Sequence, residues 1–332
     1  MNYTGLDSIH EILRFIPSGD NALRHRVAAA LKNELGEAGH SLWNEWRDGR
    51  GDDEAKDVWR SIKPYRTGGI TIKTLFYLAQ QNGWRPSNTH KEIDLSSLRS
   101  QVRLEAEAER DRLQVERWQQ QKARLIDLWE KTEPITSNNP AGVYLLNRGL
   151  NVPNNAMALR YTPDLSYVDS KGDCWGLFHA MLAAVTSPSG DIVALHRTYL
   201  THDGEKAPLP NPKKLTSTAG SLQGAAIRLT PPSLRKGRLS LGVAEGIETA
   251  LAASILSEVP VWSCISANGL KSFVLPAGVQ NLYIFGDRDQ NETGQKAASI
   301  LSERVAGEVT VRVLIPETVG DWNDDLLSRR AR

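Results

Sequence analysis

Apolar positions along the chain change their spacing from region to region. Up to about Pro86 they recur at helical intervals, as in Leu23, Val27 and Leu31 and again in Leu75, Leu78 and Ala79, which predicts a small bundle of amphipathic helices. Asp20 or Ser18 can cap the second of these helices and Thr71 the last, with Gly83 and Pro86 to end it. Phe15, Trp43, Trp46, Trp59 and Phe76 supply aromatic volume for its core. From Lys91 to Lys131, nine basic and nine acidic residues crowd a stretch without Gly or Pro, and apolar positions thin out between Arg103 and Arg124. That pattern predicts a solvated helix acting as a connecting arm, with Arg103–Glu107 and Glu109–Arg112 at supporting intervals.

After Pro134 the pattern becomes one of short strands. The apolar runs Ala180 to Val185 and Ile192 to Leu195 flank Ser187-Pro188-Ser189-Gly190-Asp191, a hairpin turn signal. From Leu239 onward strands alternate with helices: strands over 239–244, 261–265, 282–285 and 309–314, helices over 248–256 and 294–305. Such alternation implies parallel strands in a layered α/β structure. The expected organisation is an all-helical domain over 1–88, a charged helical linker over 89–131, a mostly β region over 132–238 and an α/β domain over 239–332.

The chain has 332 residues, 40% of them hydrophobic, enough for more than one core. No apolar run approaches the roughly 20 residues of a membrane span, and the opening MNYTGLDS lacks the apolar core of a secretory signal. The expectation is a cytoplasmic protein with no membrane partner. Two cysteines, Cys174 and Cys264, exclude a disulfide framework and any zinc ribbon, so zinc is not expected.

A net charge of +1 looks ill-suited to nucleic acid until it is divided by segment. Between Lys206 and Ala244 stand seven cations, Lys206, Lys213, Lys214, Arg228, Arg235, Lys236 and Arg238, and no Asp or Glu. From Glu245 to Asp325 there are twelve carboxylates against five Lys or Arg. Near-neutrality is a cancellation of two oppositely charged regions.

In open α/β sheets, functional side chains gather beyond the carboxyl ends of the parallel strands. Acidic residues stand at those ends here: Glu245 after the 239–244 strand, Asp287 and Asp289 after the 282–285 strand, and Asp321, Asp324 and Asp325 after the last. Packed together they would repel, and a hard divalent cation with oxygen ligands, Mg²⁺ or Mn²⁺, is the natural neutraliser. Asp289 or Asn291 could alternatively cap the following helix. His179 and His196 lie among apolar strand residues and read as structural.

The pieces Val243-Ala244-Glu245-Gly246 and Phe285-Gly286-Asp287-Arg288-Asp289, with Gly294 beyond, resemble the glutamate and Asp-x-Asp motifs of the Toprim domain, the metal-binding fold of bacterial-type primases, topoisomerases and some nucleases. The resemblance covers about 239–325. It implies a Rossmann-like parallel sheet with flanking helices, catalytic roles for Glu245, Asp287 and Asp289, and a Mg²⁺ or Mn²⁺ set completed by Asp321 or Asp324. Where replicative primases carry an acid four residues after the motif glutamate, this chain has Thr249, and it offers Glu248 instead.

Residues 125–240 are similar to the basic subdomain that precedes Toprim in primases of phages and plasmids, through Tyr144 to Leu150, His196-Arg197-Thr198-Tyr199-Leu200, Asp203 to Ala207 and Pro212-Lys213-Lys214. Residues 12–84, with Phe15 to Asp20, Leu42 to Trp46 and Gly68-Gly69-Ile70-Thr71-Ile72, resemble the small helical domain found towards the C-terminus of other mobile-element primases, the PriCT-like domain. The implied activity is Mg-dependent primer synthesis on single-stranded DNA from NTPs, with Arg148, Arg197, Lys206, Lys213, Lys214 and Arg228 gripping phosphates. No Gly-x-x-x-x-Gly-Lys-Ser/Thr loop is present, so a replicative helicase would act in trans. A Toprim nuclease and a non-catalytic DNA-binding replication factor are the alternatives.

Overall fold

The computed structural model describes residues 5–47, 58–62, 70–85, 95–151 and 158–331. The chain divides into two compact units, residues 1–115 and 116–332.

In the first unit, helices α1 (Gly5–Arg14), α2 (Asn21–Leu35), α3 (Gly39–Trp46) and α4 (Ile72–Gln81) surround one apolar core. Ile9, Ile12, Val27, Leu31, Trp43 and Leu75 are almost completely buried in it. Asp20 caps α2, accepting the Ala22 N–H at 2.8 Å, and Thr71 caps α4, donating its own N–H to the Thr74 hydroxyl at 3.2 Å. Each cap satisfies a backbone group that a helix end leaves open. Trp43 and Trp59 pack with ring centroids 5.6 Å apart, as core aromatics should. Gly68, Gly69 and Pro86 lie outside the described residues.

Helix α5 (Leu95–Glu130) is the expected charged helix, and its last turns belong to the second unit. Of the Arg103–Glu107 and Glu109–Arg112 pairs, the Arg103 and Glu109 side chains lie outside the described set. Near the end of α5, Leu125, Leu128 and Trp129 pack on a cluster with Leu182, Leu195 and Tyr199, covering one face of an antiparallel sheet.

That sheet runs β1 (Glu133–Pro134), β2 (Leu159–Val168), β3 (Cys174–Thr186), β4 (Ile192–Leu200) and β5 (Lys213–Leu215), each neighbour antiparallel to the next. Helix α6 (Pro140–Asn147) packs on its other face. A second sheet has the order β10 (Thr310–Leu314), β9 (Asn281–Phe285), β7 (Arg238–Ala244), β6 (Ser233–Arg235), with β8 (Val261–Ser263) paired beyond the carboxyl half of β7. Strands β7, β8, β9 and β10 are parallel, and β6 forms an antiparallel hairpin with β7. The central strand β7 is buried from Ser240 to Ala244. A parallel strand covered on both faces therefore reads as one apolar run.

Helices α8 (Ala267–Ser272) and α9 (Thr293–Val305) cover the face carrying Leu241, Val243, Leu282 and Ile284. Helices α7 (Ile247–Ser257) and α10 (Trp322–Arg330) cover the opposite face, with Ala244 and Phe285. On that side the core runs without a break from Leu145, Tyr161 and Met181 into Ile247, Phe285 and Trp322, so both sheets share it. Their backbones are also laced together. Ala226 exchanges two hydrogen bonds of 2.9 Å with Thr186 of β3, and Ile227 exchanges bonds of 2.8 and 3.1 Å with Ser263 of β8. Among the described residues no helix is long and apolar enough to cross a membrane.

Candidate active site

Three turns at the carboxyl ends of β7 and β9 and after β10 bring the acidic residues to one border. Glu245 directly follows β7, and its carboxyl accepts the backbone N–H of Ala267, the first residue of α8. Burial raises its pKa, the Ala267 bond pulls against that, and the Asp289 charge adds to the rise. Asp287 follows β9 by two residues. Burial first, then the charges of Asp321, Glu245, Asp289 and Asp324, push its carboxyl up to about 7. Its Oδ1 is buried and has no hydrogen-bond partner. A buried acceptor without a donor costs free energy, on the order of 1–3 kcal/mol, so this atom is poised for a ligand.

The turn after β9 depends on Gly294. A Cβ there would lie 2.7 Å from the Asp287 carbonyl oxygen, so only glycine lets α9 begin this close to the carboxylate. Gly294 also donates its N–H to Asp289 Oδ2 at 2.9 Å. Asp289 thus anchors the start of α9 with one oxygen, the capping role that its position allowed. Asp321 is the N-cap of α10, accepting the N–H groups of Asn323 and Asp324 at 2.7 and 3.0 Å, while Asp324 accepts the Asp321 N–H at 3.1 Å. This reciprocal capping box holds both carboxyls near Asp287. The carboxylates border a common space without closing on a single point. Among the described residues no three acidic, His or Cys side chains form a ready-made cage. Their mutual repulsion and the orphaned Asp287 oxygen are what a divalent cation would relieve, so the donor set fits Mg²⁺ or Mn²⁺.

The cations divide. Lys213 of β5 donates to Glu248 Oε2 at 2.8 Å, and Tyr144 of α6 donates its hydroxyl to Glu248 Oε1 at 2.5 Å. Burial pushes Glu248 up, but Lys213 and then Tyr144 outweigh it and hold the carboxyl at about 2. Glu248 is 4% exposed and tied on both oxygens, which makes it a buried strut between α6, α7 and β5. Lys206 is lowered by burial and by the neighbouring charges of Lys213 and Arg148, with Glu248 and Asp321 pulling the other way. Lys206, Lys213, Arg148 and the Asp321 carboxyl therefore share one neighbourhood. Arg148 is fixed there: its guanidinium donates to Asn323 Oδ1 at 3.3 Å, and Asn323 Nδ2 donates back to the Arg148 carbonyl at 2.9 Å.

Lys214 donates to the Val168 carbonyl at 2.6 Å and lies 4.8 Å from the Tyr167 ring centroid, while still lining the cleft between β5 and the loop after β8. Arg197 and Arg228 are not brought to the carboxylates. Strand alternation turns Arg197 to the Tyr199 side of its sheet, where it donates to the Leu215 carbonyl and the Tyr199 hydroxyl. Arg228 donates to the Ser187 and Pro188 carbonyls and stacks 5.0 Å from the Trp262 ring centroid, a strut across the hairpin turn.

The cleft has a volume of about 710 Å³ and is lined by Lys213, Lys214, His196, Asn211, Gln223 and Asn268 among others. Ile265 in the loop after β8 has φ of 73°, a left-handed conformation that a β-branched residue adopts only under strain. The loop goes on to Ala267, which holds Glu245, so the cleft adjoins the carboxylates. His196, expected to be a packed structural residue, lines this cleft with Nδ1 unpartnered, and burial first, with Lys213 and Arg197, pushes its pKa down to about 4 against the pull of Glu248. His179 is structural, its Nδ1 2.7 Å from the Tyr161 hydroxyl. Asn268 and Gln223, which also line the cleft, belong to no motif in the sequence.

Comparison with known proteins places family models on all three regions. Residues 240–331 match the Toprim domain, residues 9–79 match Primase C terminal 2 (PriCT-2), and residues 119–229 match a domain of unknown function (DUF7146). The chain thus carries a Toprim domain and a PriCT-2 primase C-terminal domain. No curated protein sequence matches it. Among solved structures, a DNA primase domain from Pseudomonas aeruginosa is similar with a TM-score of 0.43 and 16% identity, covering 62% of this chain and 74% of that one. The primase fragment of the bacteriophage T7 primase-helicase protein is similar with a TM-score of 0.38 and 19% identity, covering 56% and 69%.

Proposed function

We propose that the protein is a DNA primase, a nucleotidyltransferase that makes short primers on single-stranded DNA from NTPs during replication of a mobile element. The observation that carries this reading is the buried Asp287 carboxylate of a Toprim domain, its Oδ1 without a partner, crowded by Glu245, Asp289, Asp321 and Asp324, with Lys206, beside Lys213 and Arg148, close enough to feel the Asp321 charge. Glu245, Asp287 and Asp289 would hold Mg²⁺ or Mn²⁺, with Asp321 or Asp324 completing the set. Such ions, when bound, activate a 3′-hydroxyl and neutralise charge on the departing pyrophosphate.

The chain's own residues supply the rest. Lys206, Lys213 and Arg148 face phosphates that the carboxylate centre would otherwise repel. Glu248 and Tyr144 fix Lys213 in place, so its ammonium is presented without reorganisation. The polar lining of the cleft, His196, Asn211, Gln223 and Asn268, offers donors and acceptors for a base or sugar. A replicative helicase is proposed as a partner in trans.

The test incubates the protein with single-stranded DNA, MgCl₂ and labelled ribonucleotides. New short RNA supports the reading, shortened DNA would replace it with a nuclease, and unchanged DNA with retained binding would replace it with an accessory factor. Asp287→Ala should abolish either activity.

A further inference from the structure

The acid-free run of seven cations is split by the strand it leads into. Arg235, Lys236 and Arg238 sit on the β6–β7 hairpin, at the amino end of the parallel strands. Strand β7 carries 7 residues from there to Ala244. At ~3.3 Å per residue, the hairpin lies on the order of 20 Å from Glu245. These three cations cannot serve the carboxylate site.

They rim a depression of about 420 Å³ on the face of β9 and β10, with Asn281, Tyr283 and Leu314 in its lining and Arg312 entering from β10. The Arg312 guanidinium lies 5.9 Å from the Tyr283 ring centroid. Lys236 and Gly237, with φ of 49° and 76°, form a tight two-residue turn that sets Arg235 directly opposite Arg238. Like charges facing across a strand pair are unfavourable, so the hairpin keeps an arrangement that an anion would relieve. Among the described residues no carboxylate lines the depression. Arg235 is braced by the Ser257 carbonyl at 2.7 Å, and the one acid paired with the cluster, Glu258, is highly exposed and 3.9 Å from it.

We infer that this depression is a second nucleic-acid contact, taking the phosphodiester backbone of a strand that passes the β6–β7 hairpin and crosses the face of β9 and β10. Four cations around a shallow floor match the repeating charge of a polynucleotide, and the Tyr283–Arg312 platform offers a face for stacking. A mononucleotide carries the same phosphate chemistry, so the two sources must be separated by measurement.

The experiment measures binding of the full chain to fluorescent single-stranded DNA across a salt series, using strands of about eight and about thirty nucleotides. For the long strand, the Lys236→Ala/Arg238→Ala/Arg312→Ala variant should lower the slope of log K against log salt by about 2, at ~0.7 for each phosphate no longer neutralised, and weaken binding by on the order of tenfold. The short strand, held at the carboxylate side, should bind as in the unchanged protein. Glu258→Gln should strengthen long-strand binding about twofold, a gain that a misfolded protein would not give. An unchanged slope for the long strand would overturn the inference. So would ATP displacing the long strand from the unchanged protein but not from the triple variant, since the depression would then hold a mononucleotide. The measurement does not depend on primer synthesis: a chain that makes no primer can still show the slope change, and one that makes primer can fail to show it.

Discussion

The two ends of one parallel sheet carry charge in opposite ways. At the carboxyl ends of β7 and β9, acids and bases are interleaved, half-buried and tied by short hydrogen bonds, as in Tyr144–Glu248–Lys213. At the amino end, Arg235, Lys236 and Arg238 gather on the hairpin, and Arg312 joins them from the middle of β10, with no carboxylate among the described lining residues. The first arrangement fixes charges in position at the expense of burial, which suits chemistry on one phosphate at a time. The second leaves them exposed, with Glu258 at 3.9 Å from Arg235 as the acid paired among the described residues, which suits a grip on many phosphates without selection. Sequence adjacency hid this, because Lys213 and Arg238 belong to the same uninterrupted basic run.

Substitutions at the two ends should have unequal consequences. The largest effect is expected from Asp287→Asn, which should lower nucleotide incorporation by at least about 10³-fold, whereas the hairpin triple variant should leave incorporation on a short template within about twofold. Gel analysis of labelled product measures both. Next, Lys213→Ala leaves the Glu248 carboxylate buried and without its cation, and urea unfolding should show a loss of about 3 kcal/mol. The same truncation at Lys236 should change stability by less than about 0.5 kcal/mol.

His196 supplies a pH signature. Its pKa is depressed to about 4, so below about 6.5 the unfolded chain takes up a proton that the folded chain refuses. Stability should therefore fall between pH 6.5 and 4, by at most about 3 kcal/mol, and His196→Gln should flatten that limb of a melting-temperature profile. Asp287 works in the opposite sense. Its raised pKa means that the folded state loses stability as pH climbs from about 4 to about 7. Asp287→Asn should thus raise the melting temperature at pH 8 in chelator by a few degrees, and MgCl₂ should stabilise the unchanged protein more than this variant.

Much of the Toprim sheet is legible in the sequence because its strands are continuous apolar runs bounded by Gly and Asp. The expected strand at 239–244 is observed at Arg238–Ala244, the helix at 248–256 at Ile247–Ser257, and the helix at 294–305 at Thr293–Val305. Helix α10 escapes such a reading. Its sequence, WNDDLLSRR, shows only Trp322 and Leu326 to the core, and Asp321 and Asp324 look like loop acids although their three-residue spacing is that of a capping box. Helix α8, six residues long, is too short for periodicity to register.

Glu245, Asp287 and Asp289 can be named from motif spacing alone. The partner of Lys213 cannot, since Glu248 is 35 residues away and the two meet only when β5 docks beside α7. The side of the sheet on which Arg197 falls is set by register, which a one-residue shift would reverse, and nothing in the local sequence declares it.

The ladder through Ala226 and Ile227 has a further consequence, for how the second unit can be cut and how it can move. Ile227 closes the outer edge of β8, so a fragment beginning at 239 would expose an unpaired strand edge and should self-associate. In the intact chain, one of the two backbone pairs, Ala226–Thr186 or Ile227–Ser263, and the shared core would have to open before the two sheets could swing apart. The cleft between them is a jaw of fixed gape, and substrates of different size must be accommodated by loops and side chains at its lips.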